Sequence, residues 1–336
     1  SENTKWGIRS KFQKGIPHVN TTRLFGFNKD ADGQLCVDPE QGAVVRRIFR
    51  DYLMGFGEGE IARRLRQEGI PGITGTSRWS STTVRRMLQN EKYQGDLLLQ
   101  KYYTVSFLTG ECARNEGALD QYFVADAHEG IVSREEWEAV QQERARRHAY
   151  RTEFQLQKLE NADPFFNRIR CAACGGMVVR GYGKAGREPF WRCGAACRKH
   201  KGTSTRTTFP EQDVRRVMCA AWAQLVENRA VYEAKWRAMM ENPETLALEK
   251  VRARQMMALM ESADGPGNGM AGMRNGLNGD AAGEKWGDHF SKAERMTEMP
   301  WRSDVWIRMV LEYMIAGERE YRVGFLDGSE VTVRVD

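Results

Sequence analysis

The sequence predicts a multidomain chain of the α+β class, in which a helix-turn-helix-containing domain precedes a zinc β-ribbon domain with long helices. Three observations carry this prediction. Three short amphipathic segments lie between residues 38 and 90, two cysteine pairs flank a strand-turn-strand pattern at 171–197, and an Asp-Gly turn at 327–328 joins two strands. Because 336 residues exceed one compact core, we expect about two or three.

Charge and cysteine usage restrict the classes of partner and compartment. The formal net charge is +6, and the surplus lies in blocks, which favours a nucleic-acid partner. No apolar run approaches the ~20 residues that span a bilayer, and no signal-peptide pattern opens the sequence, so we expect a soluble, intracellular protein without a membrane partner. Cys36, Cys112 and Cys219 are dispersed, which fits a reducing compartment.

Three helices are predicted in the first half of the chain. Asp38 to Leu53 carries apolar residues at helical spacing with Pro39 near its start, and Glu60 to Gln67 forms a second, shorter helix. The glycines between 55 and 59 lack a preceding strand and a following Lys-Ser/Thr, so we interpret them as a hinge and not as a phosphate loop. Ser80 to Asn90 forms the third helix, with hydroxyl side chains available as an N-cap.

The third helix has one apolar face and one polar, basic face. Val84, Met87 and Leu88 are expected to face the core. The outward set is Ser81, Thr82, Arg85, Arg86 and Gln89. Arginine and glutamine can read base edges and hydroxyls can bind the backbone, so this face is a candidate for the major groove of DNA, with a merely solvated surface as the alternative.

An extended arm precedes the first helix. Residues 15–24 lose periodicity around Pro17 and include Arg23. Such an arm could lie in a minor groove, and a plain linker is the alternative.

Two close cysteine pairs indicate a metal site. Cys171 and Cys174 precede a predicted hairpin, 177–182 paired with 189–192, and Cys193 and Cys197 end it. Four thiolates at this spacing suit a closed, structural Zn²⁺ site that would stabilise a small basic segment. Four ordinary reduced cysteines remain an alternative, as does His200 in place of Cys197 as the fourth ligand.

The ribbon is strongly basic. Between Phe165 and Phe209 ten lysines and arginines stand against Glu188 alone, a formal charge of +9, and a zinc held by four thiolates would leave +7. This charge predicts a polyanionic partner, with a solvated face as the alternative. The candidate contacts are Arg180, Lys184, Arg187, Arg192, Arg198 and Lys199.

Further strands and helices are predicted before and after the cysteine pairs. Strands are expected around Leu97–Leu99, Tyr103–Val105 and Tyr122–Val124, with an irregular loop from Thr109 to Leu119, and Ser133-Arg-Glu-Glu136 is a capping box for a helix over 135–147. After the ribbon we expect a helical stripe from Val214 that continues through Met240, a helix over 244–261, a helix from Val305 to Met314, and a C-terminal β-hairpin that completes the ribbon's sheet.

Several of these motifs resemble a known family. Trp79–Asn90 followed by Tyr93-Gln-Gly95 is similar to the recombinase domain of the large serine recombinases, the phage integrases and transposases. Gly26-Phe27, the segment Ile61–Pro71 and the stretch His128–Ser133 fit the same order of motifs, as do the helix 135–147 and the cysteine ribbon behind it.

The resemblance implies an organisation and partners. It divides the chain into the end of a connecting helix and an arm over 1–25, a recombinase domain over 26–151, and a zinc ribbon domain over 165–336 with a coiled-coil-like insertion at about 229–300. The implied partner is a double-stranded DNA attachment site, bound for integration or excision of a mobile element. The same resemblance implies self-association of the full-length protein through the insertion, and a directionality factor as a further partner. It also implies a cytoplasmic, nucleoid-associated location in a bacterium.

Two departures from the family pattern affect the prediction. The catalytic domain of the family, with its nucleophilic serine, would precede Ser1 and is not in this sequence, so we expect the chain to bind DNA and to be inactive alone in cutting it. The proline that usually stands two residues before the Tyr-x-Gly element is replaced by Glu91, which leaves the end of the third helix less sharply defined.

Two other function classes make different demands on the sequence. A zinc-dependent nucleobase deaminase needs a His-x-Glu motif and an open metal position. None of the five histidines precedes a glutamate at that spacing, which argues against such an enzyme. A zinc-ribbon adaptor for RNA or protein remains the alternative, and it predicts no preference for a particular duplex.

Overall fold

The computed structural model describes residues 24–31, 33–106, 109–156, 163–182, 189–194, 208–262 and 304–335. These residues divide into two compact units. The first comprises the described residues of Ser1–Tyr52 and Glu58–Gln141, and the second those of Leu53–Gly57 and Gln142–Asp336. In the described residues no helix is both long and apolar enough to cross a bilayer.

The first unit combines short helices with three small antiparallel strand pairs. The pairs are β1 with β2, β3 with β6, and β4 with β5. In chain order the elements are β1 (Phe27–Lys29), β2 (Leu35–Val37), α1 (Pro39–Leu53, which ends in the second unit), α2 (Glu58–Gln67), α3 (Ser81–Leu88), a 3-10 helix (Glu91–Gln94), β3 (Leu97–Leu99), β4 (Tyr102–Ser106), β5 (Glu111–Arg114), β6 (Tyr122–Val124) and the start of α4 (Arg134–Glu153).

The three predicted helices are present in this unit. Ile48 and Phe49 of α1, Ile61 and Leu65 of α2 and Val84 of α3 are almost fully buried, as their helical spacing requires. The predicted capping box also forms: the backbone N–H of Glu136 donates to Ser133 Oγ (3.1 Å), and the N–H of Ser133 donates to the Glu136 carboxylate (3.0 Å). The hairpin of β1 and β2 was not predicted, because its strands are only three residues long.

Tyr93-Gln-Gly95 lies at the centre of the first unit. The Tyr93 hydroxyl donates to the Phe25 carbonyl (3.0 Å), and its ring stacks on Phe27 at a centroid distance of 5.9 Å. Burial raises the pKa of Tyr93, so the hydroxyl remains a hydrogen-bond donor at neutral pH. Next in sequence, the buried carboxylate of Asp96 accepts two hydrogen bonds from Arg134, at 2.9 and 2.8 Å. These bonds tie the chain that follows α3 to the start of α4.

The end of α3 is well defined although the usual proline is absent. Asn90 caps the following 3-10 helix by accepting from the Lys92 N–H. Glu91 is buried where the proline would stand, and it accepts hydrogen bonds from the Leu98 N–H (3.1 Å) and the Lys92 ammonium (3.1 Å), and also pairs with Lys101. Ionic and backbone contacts therefore fix this corner in place of a restricted φ angle.

Replacing Gly95 with alanine is expected to destabilise the first unit. Gly95 has φ +101°, and a Cβ there would lie 2.7 Å from the His128 carbonyl oxygen. The left-handed backbone alone costs about 1–3 kcal/mol for other residues, and the clash adds to it. Gly69→Ala is the matched control, because Gly69 has φ +70° and no neighbouring atom within 4 Å. Urea unfolding should show a larger loss for Gly95→Ala, and equal losses would contradict the assigned contact.

The second unit contains two sheets and several helices. One sheet has the order β13-β12-β11-β7 and the other β10-β9-β8. Its elements after α4 are β7 (Ile169–Cys171), β8 (Val178–Gly181), β9 (Phe190–Cys193), β10 (Thr208–Pro210), α5 (Glu211–Glu227), α6 (Arg229–Glu241), α7 (Ala247–Ser262), α8 (Asp304–Val310), β11 (Leu311–Ala316), β12 (Glu320–Phe325) and β13 (Glu330–Arg334).

Aromatic side chains fill the core of this unit. Trp222 of α5 packs edge-on against Trp306 at a centroid distance of 5.3 Å, and Phe209 of β10 packs against Tyr321 of β12. Trp236 of α6 is fully buried, and its indole N–H donates to Asp327 in the turn between β12 and β13 (2.7 Å). The indole N–H of Trp236 is therefore satisfied within the core.

The C-terminal hairpin forms at the predicted Asp-Gly turn, but its sheet differs in part from the prediction. β12 pairs with β13 and with β11, and β11 pairs in parallel with β7, whose last residue is Cys171. The hairpin therefore shares a sheet with the strand that enters the first cysteine pair. β9, whose last residue is Cys193, pairs with β8 and with β10 in the other sheet.

Three predictions about secondary structure were wrong. Tyr313 and Met314 belong to β11 and not to a helix, because Leu311–Ala316 pairs with strands on both sides, which overrides the helical spacing. The loop from Thr109 to Leu119 contains β5, whose mostly exposed residues give no apolar signal. The stripe from Val214 to Met240 is two helices, since the backbone departs from helical geometry at Asn228 (φ −100°, ψ 23°).

The expected coiled-coil-like insertion at about 229–300 is only partly within the described residues. Its described portion consists of α6 and α7, which pack together. Residues 263–303 lie outside the described residues, so the coiled coil stays a prediction.

Candidate nucleic-acid interface and metal site

Helix α3 presents the polar face that its sequence predicts. Val84, Met87 and Leu88 are buried. The exposed residues of this helix and its C-cap are Ser81, Thr82, Arg85, Arg86 and Gln89, the complete predicted set. The Ser80 hydroxyl caps the helix by accepting from the Thr83 N–H at 3.1 Å. The face therefore combines two guanidinium groups, an amide and two hydroxyls on one rigid element.

The connection between α2 and α3 is anchored at its end by Trp79. Helices α2 and α3 pack together, and residues 68–80 join them, a longer connection than the roughly three to four residues of a compact helix-turn-helix. Trp79 is buried, its indole N–H donates to the Ile70 carbonyl (2.9 Å), and its ring packs edge-on against Phe25. The segment 73–78 is exposed, so it extends the accessible surface beside α3.

Arg85 is held by a carboxylate that sequence reasoning missed. Its Nε donates to Glu58 Oε2 (2.8 Å), and its Nη2 lies 2.7 Å from the same oxygen. The hydrogen bond that Arg85 donates to Glu58 raises the pKa of Arg85. Glu58 is 27 residues away in sequence and lies within the segment that was interpreted as a glycine hinge, so no sequence signal indicated this pairing. The pair fixes the direction of a long side chain that would otherwise be flexible.

Three of the four predicted metal ligands lie together in the second unit. The Sγ atoms of Cys171, Cys174 and Cys193 are all within 4.8 Å of one another, and those of Cys174 and Cys193 are 3.4 Å apart. A tetrahedral zinc with Zn–S bonds of roughly 2.3 Å separates its sulfurs by roughly 3.8 Å, whereas a disulfide joins them at about 2.05 Å. The thiol set therefore fits a metal.

The backbone around the first cysteine pair is shaped as a tight turn. The Gly175 N–H donates to the Cys171 carbonyl (2.8 Å), and the Gly176 N–H donates to Cys174 Sγ (3.4 Å). Gly175 has φ +68°, which favours glycine. An N–H directed at the sulfur stabilises a thiolate, the form that binds metal. Cys197 and His200, the candidates for a fourth ligand, lie outside the described residues.

Two of the DNA contacts predicted in the ribbon, Arg180 and Arg192, lie within the described residues. Arg192 is exposed on β9. Arg180, opposite Trp191 on β8, pairs with Asp163 at 2.8 Å and with Glu211 at 3.4 Å, so its charge is largely offset within the unit. The other predicted DNA contacts, which lie outside the described residues, are Arg23, Lys184, Arg187, Arg198 and Lys199.

Exposed Tyr182 was not among the predicted site residues. Its side chain is 78% exposed, and the Arg180 guanidinium carbon lies 5.6 Å from the ring centroid. The only available signal was its position next to the predicted turn of the basic hairpin.

Comparisons with known proteins find a similarity to one family model and to solved structures. No curated protein matches the sequence. Two of the solved structures to which it is similar share little sequence identity with it. One, described as "Sequence Requirements of the Listeria innocua prophage attP site", has 16% identity and a TM-score of 0.36 over 64% of this chain and 84% of its own. The other, described as "Crystal Structure of a LSR-DNA Complex", has 13% identity and a TM-score of 0.41 over 97% and 99%.

The family model that matches is called Recombinase, and it covers residues 39–147. This range contains α1, α2, α3 and the Tyr-x-Gly element, the same segments that carry the resemblance in the sequence. The chain is therefore similar to the Recombinase family over residues 39–147.

Proposed function

We propose that this chain binds double-stranded DNA at an attachment site, as the DNA-binding region of a site-specific serine recombinase that integrates or excises a mobile element. The observation that carries this proposal is the exposed face of α3, which lies within the Recombinase match and carries Ser81, Thr82, Arg85, Arg86 and Gln89. Its arginines suit guanine, its glutamine suits adenine, and its hydroxyls suit the phosphate backbone.

The proposed second module is the zinc ribbon. Cys171, Cys174 and Cys193 would hold a structural Zn²⁺ together with Cys197, or with His200 in its place. Bound metal would supply folding energy to a small domain and no chemistry of its own. Arg192 supports a phosphate contact by its exposure. Arg180, Lys184, Arg187, Arg198 and Lys199 complete the proposed basic surface, and Arg23 of the arm is proposed for a minor groove.

The proposed organisation follows the family. Residues 26–151 would form the recombinase domain and 165–336 the zinc ribbon domain with the insertion at about 229–300. The segment 1–25, proposed as the connecting helix end and arm, lies outside the described residues except for Leu24 and Phe25. In the full-length protein the insertion would mediate self-association, and a directionality factor would be a further partner. The proposed location is the bacterial cytoplasm, on the nucleoid.

A competition gel tests this function against the zinc-ribbon adaptor for RNA or protein. The labelled probe is a duplex containing an attachment half-site, and the competitors are an unrelated duplex, single-stranded DNA and RNA. Attachment-site binding predicts that the unrelated duplex competes at least about 10³-fold less well and that affinity falls steeply with salt. Equal competition by all four nucleic acids would favour the adaptor.

Replacing Glu58 with glutamine is expected to reduce sequence discrimination at the base that Arg85 reads. The neutral amide holds the guanidinium more weakly than the carboxylate, so Arg85 would sample several directions and discriminate less well. Binding assays on duplexes with single base changes measure this effect. Glu60→Gln is the matched control, since Glu60 lies in the same helix and pairs with Arg63 at 2.5 Å. Identical base preferences in wild type and Glu58→Gln would remove the positioning role.

A further inference from the structure

A small, strongly basic cavity lies within the second unit, apart from the cysteine cluster and the face of α3. Its volume is about 50 Å³, several times the roughly 10–15 Å³ that one water molecule needs. Four arginines, Arg146, Arg147, Arg168 and Arg308, line it against two carboxylates, those of Asp163 and Glu312.

Arg168 is the residue whose environment is most unusual. Its Nη1 donates to the Leu311 carbonyl (2.6 Å) and lies 3.4 Å from the Arg308 carbonyl. Among the contacts of the described residues, those of Arg168 are to carbonyl oxygens and none is to a carboxylate. Burial and the nearby charge of Arg146, followed by those of Arg308 and Arg147, lower the pKa of Arg168 to about 10, against the opposing effect of Glu312. The positive charge at this site is therefore poorly compensated.

The acids nearby are already shared among several arginines. Glu143 pairs with Arg146 at 2.8 Å, Arg147 at 2.6 Å and Arg252 at 2.9 Å. Glu312 pairs with Arg146 at 2.5 Å and lies 3.9 Å from Arg252.

The remaining acid of the lining, Asp163, is paired with Arg180 at 2.8 Å. Within the lining itself four guanidinium groups stand against two carboxylates, a formal surplus of two positive charges.

We infer that this cavity is a binding site for a tetrahedral oxyanion of the phosphate class, with Arg146 and Arg168 as its principal donors. Guanidinium groups match the geometry of phosphate oxygens and donate two hydrogen bonds at once. A divalent anion would offset most of the surplus charge in a partly buried place, where electrostatic attraction is strong. The source is either free phosphate or a phosphate group of a DNA backbone, and the site does not depend on the proposed attachment-site function.

The first experiment titrates the whole chain with inorganic phosphate at constant ionic strength, with sodium chloride as the balancing salt. Binding to the folded state raises the unfolding temperature in a saturable manner, and calorimetry gives the dissociation constant. Arg146→Gln should weaken phosphate binding by about tenfold or more. Arg216→Gln is the matched control, because Arg216 is exposed on α5 of the same unit and is not part of the cavity, and it should bind as the wild type does.

Glu312→Gln gives a prediction of opposite sign. Glu312 competes with an anion for Arg146, so removing its charge should tighten phosphate binding several-fold, whereas a merely structural role would weaken binding or leave it unchanged. If Arg146→Gln does not fold, the phosphate affinities of the wild type and Glu312→Gln alone decide whether the cavity binds the anion. No saturable effect of phosphate beyond that of chloride, or weaker binding by Glu312→Gln, would overturn the inference.

A further experiment with a short DNA duplex distinguishes the two sources of phosphate. If the cavity binds a DNA backbone phosphate, inorganic phosphate competes with a short duplex and Glu312→Gln tightens duplex binding. If it binds a free anion, phosphate and duplex bind independently at constant ionic strength. Either result supports the oxyanion site when phosphate titration is saturable.

Discussion

Replacing Cys193 with serine is expected to abolish zinc binding and to unfold the ribbon. Cys193 is buried, at 2% exposure, and its sulfur lies 3.4 Å from that of Cys174. Zinc binding by small thiolate sites is worth about 10–16 kcal/mol and is coupled to their folding. Removing one of the proposed ligands should therefore lower the free energy of unfolding by more than any single packing change in this unit. Metal analysis of the purified chain should fall from one zinc per chain to nearly none, and the near-ultraviolet circular dichroism of buried Trp191 should diminish.

Cys219→Ser is the control for this experiment. Cys219 is half-buried in α5, where burial raises the pKa of its thiol despite nearby Arg215, so it is a poor thiolate. This variant should keep its zinc and its fold. A Cys193→Ser protein that retains one tightly bound zinc would show that the cysteine cluster is not the metal site.

Replacing Arg85 with alanine is expected to cost about 1–3 kcal/mol in binding to the preferred duplex, because a bidentate contact to one base is lost. The loss should be concentrated at one base position, where duplexes with different bases then bind almost equally. Arg85 is exposed on α3 and paired with Glu58, which makes it the best candidate on this face for the proposed base contact. Measurement requires dissociation constants for a set of duplexes that differ at single positions.

Arg63→Ala is the control for the loss of one positive charge. Arg63 is exposed on α2 and pairs with Glu60, and it is not among the proposed contacts. This variant should weaken binding slightly and by the same factor for every duplex, through the phosphate term. If Arg85→Ala behaves in the same way, Arg85 contacts phosphate and does not read a base.

The face of α3 was predictable because periodicity is a local property. An eight-residue helix with Val84, Met87 and Leu88 on one side leaves a single arrangement for the polar residues. The turn at the first cysteine pair was equally local, since Gly175 and the spacing of Cys171 and Cys174 define a turn between β7 and β8. Both elements carry the proposed function.

The remaining features depend on contacts between distant parts of the chain. Tyr313 has helical spacing with its predecessors, yet β11 forms because β7 and β12 supply partners on both of its edges. The pairing of Glu58 with Arg85 and the burial of Glu91 at the Tyr-x-Gly element arise in the same way. Periodicity within a segment contains no information about such partners, and charged residues at these positions are usually expected on the surface.

Footprinting of the chain on attachment-site DNA, with and without a zinc chelator, tests the central claim most directly. Two modules on one half-site predict two neighbouring protected segments, one from the face of α3 and one from the ribbon. The chelator should remove the ribbon's protection and leave the other. The central claim is that a Recombinase domain and a metal-stabilised ribbon recognise adjacent parts of one double helix. It would be contradicted by a lack of protection, by uniform protection along any duplex, or by protection of both segments that persists after the metal is removed.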